Sequence, residues 1–130
     1  MSRRMSVSMT LDAVRSRTKT VTRRHVDTWK HLKVGDRLTL IEKGMGLPKG
    51  AKQVVVAEVE IVDVCVEPIG LVASADEVFR EGLPHLTATE FITFWLKGHG
   101  YETHVDMAPV YPPRPNVGQD CRRIEFRYVD

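Results

Sequence analysis

Val54-Val55-Val56-Ala57-Glu58-Val59-Glu60-Ile61-Val62-Asp63-Val64-Cys65-Val66 is the stretch that decides the fold class. Its β-branched residues favour extended backbone, and Glu58 and Glu60 alternate with Ala57, Val59 and Ile61, so one face is apolar and the other charged. The run is long for one strand, which predicts a bulge or bend within it.

On its C-terminal side Pro68 and Gly70 end the strand, and Ser74 to Glu81 reads as a short helix broken by Gly82 and Pro84. Thr87-Ala88-Thr89-Glu90 has the spacing of a capping box and opens a helix to about Lys97. Phe91, Phe94 and Trp95 then fall on one apolar stripe. Gly98-His99-Gly100 stops that helix, and the prolines between Met107 and Asn116 predict a long irregular loop. From Arg122 to Tyr128 the alternation returns, with Ile124, Phe126 and Tyr128 on one face of a closing strand.

On its N-terminal side Gly44 to Gly50 reads as a loop, and Gly35-Asp36 as a tight turn feeding a strand over Arg37 to Glu42. Lys19 to Arg24 is β-prone yet dense in charge, an extended edge of a cleft. Thr10 to Arg17 predicts a short helix with Thr10 at its N-cap. Met5 to Met9 predicts a first strand, and residues 1 to 4 a disordered start. The tally is five to six strands with two to three short helices, without a βαβ rhythm. It predicts an α+β, mostly β chain: a small, partly open mixed β-barrel forming one domain over residues 5–130.

Charge is unevenly spread. Residues 1–33 hold nine Lys and Arg against two Asp, a net of +7, so the rest carries −5 of the overall +2. Such a segment attracts an anionic partner if its charges lie together on the surface. Arg17, Arg23 and Arg24 are the expected phosphate contacts, and Trp29 is either a stacking surface for a base or a residue closing the barrel.

Several chemistries find no footing. A P-loop, a Gly-x-Ser-x-Gly elbow and a Gly-x-Gly-x-x-Gly fingerprint are all missing from the sequence. The five histidines are scattered, with His99 and His104 the nearest approach to a metal pair, and no cofactor or metal is expected. The two cysteines, Cys65 and Cys121, form no disulfide framework, and Cys65 reads as a buried thiol. No stretch reaches the roughly 18 to 20 apolar residues of a membrane span, and the N-terminus is a poor secretion signal, so the cytoplasm is the expected compartment.

One constellation remains: Lys19-x-x-Thr22-x-Arg24, with Glu81 beside Gly82-Leu83-Pro84. In a straight strand Lys19 and Thr22 face opposite ways, so they converge only across a turn or bulge. If they do, Thr22 is a hydroxyl nucleophile and Lys19 a base whose proton affinity falls in a dry, cationic site. Glu81 then moves a proton to a leaving amine while Arg24 holds an oxyanion or phosphate.

Lys19-Thr20-Val21-Thr22-Arg23-Arg24 resembles the signature of ASCH domains, close to Gly-x-Lys-x-x-Thr-x-Arg. Trp29, Leu32-Lys33-Val34-Gly35-Asp36, Phe79 to Thr87 and Arg123 to Tyr128 follow in that family's order, over roughly residues 8 to 128. The resemblance implies a PUA-like barrel with a basic cleft beside a helix, and RNA or a modified nucleoside as partner. One branch of small bacterial members is similar to N4-acetylcytidine amidohydrolases, whose Lys, Thr and Glu fall by motif on Lys19, Thr22 and Glu81. A metal-independent ribonuclease is the other enzymatic reading. The family's Gly two residues before the Lys is Arg17 here.

Overall fold

The computed structural model describes residues 3–43, 49–72, 74–101 and 118–129. The strands are β1 (Arg3–Ser6), β2 (Val21–His25), β3 (Arg37–Ile41), β4 (Val55–Pro68) and β5 (Asp120–Tyr128). The helices are α1 (Leu11–Arg15), α2 (Ala75–Arg80) and α3 (Ala88–Gly98). One mixed sheet in the order β1-β3-β4-β5-β2 curls into a partly open barrel, parallel only between β1 and β3.

The long strand behaves as its pattern demands. β4 pairs with β3 through its first half and with β5 along most of its length, and its register against β5 shifts between Ile61 and Asp63. That bulge lets one strand serve two partners on a curled sheet. Ala57, Val59 and Ile61 point inward and join Met5, Val14, Leu38, Leu40, Ile124 and Phe126 in the barrel core. A second apolar cluster gathers Phe91, Ile92, Trp95 and Leu96 of α3 with Val78 of α2 and Cys121 of β5.

The helix signals are read correctly at their starts. Thr87 and Glu90 form both bonds of the capping box, and Ser74 caps α2 by accepting from the Glu77 N–H. Thr10 occupies the N-cap of α1 but makes no side-chain cap bond. The first strand differs from expectation, since Arg3 and Arg4 already pair with Leu38 and Thr39. The pairing partner, invisible in local sequence, orders those residues. Cys65 is half-buried, and Cys121 is the buried thiol; both are free. The expected loop at 109–115 and His104 lie outside the described residues, as do 44–48 of the Gly-rich loop.

Arg17 accounts for the turn that follows α1. Its N–H bonds Val14 O at 3.0 Å and the Thr18 N–H bonds Ala13 O at 2.9 Å, the two bonds of a Schellman motif. Such a motif requires a left-handed residue at its C′ position, and Arg17 has φ +65°. A side chain there costs about 1–2 kcal/mol, which is why glycine is the usual occupant. Arg17 recovers part of this through Nη1 donating to Val14 O at 2.9 Å and its guanidinium lying 5.0 Å from the Tyr128 ring centre. Arg17→Gly is expected to stabilise the fold by about 0.5–1 kcal/mol, raising Tm by about 2–4 °C, whereas Arg17→Ala lowers it. Thermal denaturation of both variants checks this, and a lower Tm for Arg17→Gly refutes it.

Candidate active site

The Schellman turn decides where Lys19 lies. After Thr18 the chain makes two further bonds, Lys19 N–H to Ala13 O at 3.1 Å and Thr20 N–H to Arg80 O at 2.9 Å. β2 begins only at Val21, so Lys19 is outside the alternation that governs Thr22. Its side chain doubles back, Nζ donating to Val21 O at 2.8 Å and to Glu81 O at 2.5 Å. Lys19 and Thr22 therefore line one cavity, together with Arg23, Arg24 and Glu81.

Glu81 is brought there by the end of α2, where it forms the C-cap. Gly82 follows with φ +92°, and a Cβ there meets Ala13 Cβ at 3.0 Å and Thr10 Cβ at 3.1 Å. Glycine thus permits α1 to close against the segment that carries Glu81.

The cavity holds about 300 Å³ and lies where the sheet is open, between the end of β1 and β2. Arg24 bridges that opening by donating from Nη2 to Ser6 O at 2.8 Å and from Nε to Thr22 Oγ1 at 3.2 Å. Thr22 Oγ1 thus accepts a charge-assisted bond. Glu81 accepts from Arg23 Nη1 through Oε2 at 2.6 Å, and its Oε1 is 3.8 Å from Lys19 Nζ.

These groups are almost dry: Lys19, Thr22, Arg23 and Glu81 are each 3–5% exposed. Burial lowers the Lys19 pKa to about 8; the Glu81 carboxylate opposes that shift, while Arg24 and Arg23 add to it. A neutral amine has two N–H bonds and one lone pair. The two carbonyl acceptors at Lys19 match those two donors, so the neutral amine keeps its lone pair, while Glu81 Oε1 at 3.8 Å favours the ammonium.

Arg23, expected as a phosphate contact, is already engaged by carboxylates of the chain. Its guanidinium also reaches Glu77 Oε1 at 2.8 Å and Glu67 Oε1 at 3.0 Å, so three carboxylates share it. Burial works against its charge, yet Glu81 and Glu77 outweigh it and raise its pKa. Arg17 and Trp29 are not among the residues that line the cavity. Arg17 turns to Tyr128, while Trp29 packs against the barrel core with the Arg3 guanidinium 4.4 Å from its ring centre. The positive charge at the cavity comes from Arg24, Arg23 and the fraction of Lys19 that is protonated.

Sequence reasoning missed the aromatic wall. Phe91, Phe94, Trp95 and His99 of α3 and its C-cap line the cavity, as do Leu83 and the segment Ser6 to Thr10. The Phe91, Phe94, Trp95 stripe reads as core, and two of the three are buried; Phe94 is 40% exposed. Trp95 is fixed by Nε1 donating to Arg23 O at 3.0 Å, a contact that ties α3 to β2 and has no local sequence signal.

A curled mixed sheet with a Lys, Thr and Glu cavity at its open seam is the class of structure defined so far. The chain superimposes on the hypothetical protein PH0355 with a TM-score of 0.59 and 14% identity, covering 99% of this chain and 100% of that one. It also resembles protein EF3133 from Enterococcus faecalis V583, of family DUF984, with a TM-score of 0.56 and 21% identity. That match covers 92% of this chain and 66% of the longer neighbour. These likenesses carry the fold. No family model and no curated protein matches the sequence. Among the described residues, no helix is long and apolar enough to cross a membrane, and no group of His, Cys, Asp and Glu is arranged to hold a metal.

Proposed function

We propose that this is an ASCH-type amidohydrolase that removes an acyl group from the exocyclic amine of a nucleobase, with N4-acetylcytidine as the model substrate. The observation that carries the reading is a buried lysine, its pKa lowered to about 8, lining one cavity with Thr22 and Glu81. The reaction needs a hydroxyl nucleophile, a neutral base, and a way to return the proton to the departing nitrogen. Thr22 Oγ1 attacks the acyl carbon and gives its proton to Lys19 Nζ. Arg24, already donating to Thr22 Oγ1, lies beside the charge that develops on the carbonyl oxygen. The C–N bond breaks as the proton passes from Lys19 by way of Glu81 Oε1 to the amine. Water, deprotonated by Glu81, then attacks the acyl-Thr22 ester, and as the ester C–O bond breaks Glu81 returns that proton to Thr22 Oγ1 and the carboxylic acid leaves.

The size of the cavity favours a nucleoside over a polynucleotide, being at the lower end of the roughly 300–1,000 Å³ typical of small-molecule sites. The sharing of Arg23 among three carboxylates further weakens the case for a phosphate-binding face. The test is conversion of N4-acetylcytidine to cytidine and acetate by the purified protein, followed by chromatography. The base must be neutral, so kcat/KM should rise about tenfold per pH unit below 8 and level off above it. Binding without conversion would leave a nucleoside-binding domain. A rate independent of pH between 6 and 9 would remove Lys19 as the base.

A further inference from the structure

His99 caps α3 at the cavity. Its Nδ1 lies 2.7 Å from Trp95 O, and its ring stacks on the Trp95 indole with centres 4.1 Å apart. A carbonyl oxygen only accepts, so Nδ1 carries the hydrogen and the neutral ring keeps its lone pair at Nε2. Among the described residues nothing hydrogen-bonds that second nitrogen. His99 is exposed and lines the cavity, its ring held by two contacts to one indole residue, which is itself anchored to Arg23 O.

The N-acyl amine of the proposed substrate carries one N–H. We propose that His99 Nε2 accepts this N–H and makes the site selective for secondary over tertiary amides; this rests on the amidohydrolase reading above. The bond orients the amide across the Thr22 hydroxyl. It persists when the nitrogen becomes an amine, so it holds substrate and transition state alike and acts on KM rather than kcat.

Two variants isolate the lone pair. His99→Phe keeps a flat ring against Trp95 without an acceptor, and His99→Gln carries an amide oxygen near the position of Nε2. For N4-acetylcytidine, His99→Phe is expected to raise KM about tenfold with kcat within about twofold, while His99→Gln recovers KM to within about threefold. Wild type should also disfavour N4-acetyl-N4-methylcytidine by more than about tenfold in kcat/KM, a preference that His99→Phe loses. Unchanged KM and unchanged preference in His99→Phe, with an active wild type, overturn the inference and spare the reaction. If wild type converts nothing, the reaction falls, and calorimetric Kd values for N4-acetylcytidine decide the contact. Binding about tenfold weaker in His99→Phe sustains it; equal binding, or none by wild type, overturns it.

Discussion

Thr22→Ala should lower the hydrolysis of N4-acetylcytidine by at least about 10³-fold while leaving its Kd within about threefold. The variant removes the attacking oxygen but little surface, because Thr22 is only 4% exposed and offers the cavity one hydroxyl. The Arg24 Nε that bonded Thr22 Oγ1 at 3.2 Å keeps a second anchor nearby, through Nη2 on Ser6 O, so the cavity retains its shape. Thr22→Ser keeps the oxygen and gives the complementary result, turnover above Thr22→Ala by at least about tenfold. Rapid-quench turnover and calorimetry on the same preparations separate the two quantities. Equal rates in wild type and Thr22→Ala would exclude an acyl-threonine route; Glu81 activating water directly would then be the remaining use of this cavity.

Much of the fold was legible because its signals are local. Alternation in Val54 to Val66 marked β4 and its bulge, and the Thr87 and Glu90 spacing marked the start of α3. Arg3 and Arg4 were missed because β1 owes its order to parallel pairing with β3, more than thirty residues away. The site was legible only as a spacing. Whether Lys19 meets Thr22 depends on the Schellman turn at Arg17, where a residue poorly suited to positive φ concealed the motif.

Charge along the chain does not by itself say where the charges lie in the fold. The positive excess of residues 1–33 reads as a surface for an anionic partner, and part of it is paired with carboxylates of later elements, buried at Arg23 and exposed at Arg15. Arg23 meets Glu67, Glu77 and Glu81, and Arg15 meets Glu42 at 3.0 Å. Segregation along the chain became complementarity between elements packed together, a distinction that composition does not encode.

That packing makes Arg23→Met strongly destabilising, expected to cost about 3–5 kcal/mol. For a chain of this size the loss corresponds to a Tm lower by about 10–20 °C. The side chain of Arg23 is 2% exposed and that of Glu81 5%, so removing the guanidinium leaves a carboxylate that water scarcely reaches, with Lys19 Nζ at 3.8 Å as its remaining cationic neighbour. Glu67 and Glu77, at 18% and 17%, rehydrate more easily, and the penalty therefore falls chiefly on Glu81. Glu81→Leu alone leaves Arg23 its bonds to Glu77 and Glu67 and is expected to cost less, and Arg23→Met with Glu81→Leu removes both members of the 2.6 Å pair. The double variant is expected to be at least about 2 kcal/mol more stable than the sum of the single losses predicts. Acid adds an independent reading. Burial raises the Glu77 pKa, but hydrogen bonds from Arg123 and Arg23 outweigh it and hold the carboxyl below its usual value. Its contribution is therefore present above the ordinary carboxylate pKa and is lost as pH falls through the lowered one. Arg23→Met should reduce this acid-side loss, since Glu77 then titrates closer to its unfolded value. Urea denaturation from pH 3 to 7 on the four proteins of the cycle measures both effects. A single-variant loss below about 1 kcal/mol, with additive free energies, would mean that water reaches Glu81 and that the cluster behaves as an exposed ion pair.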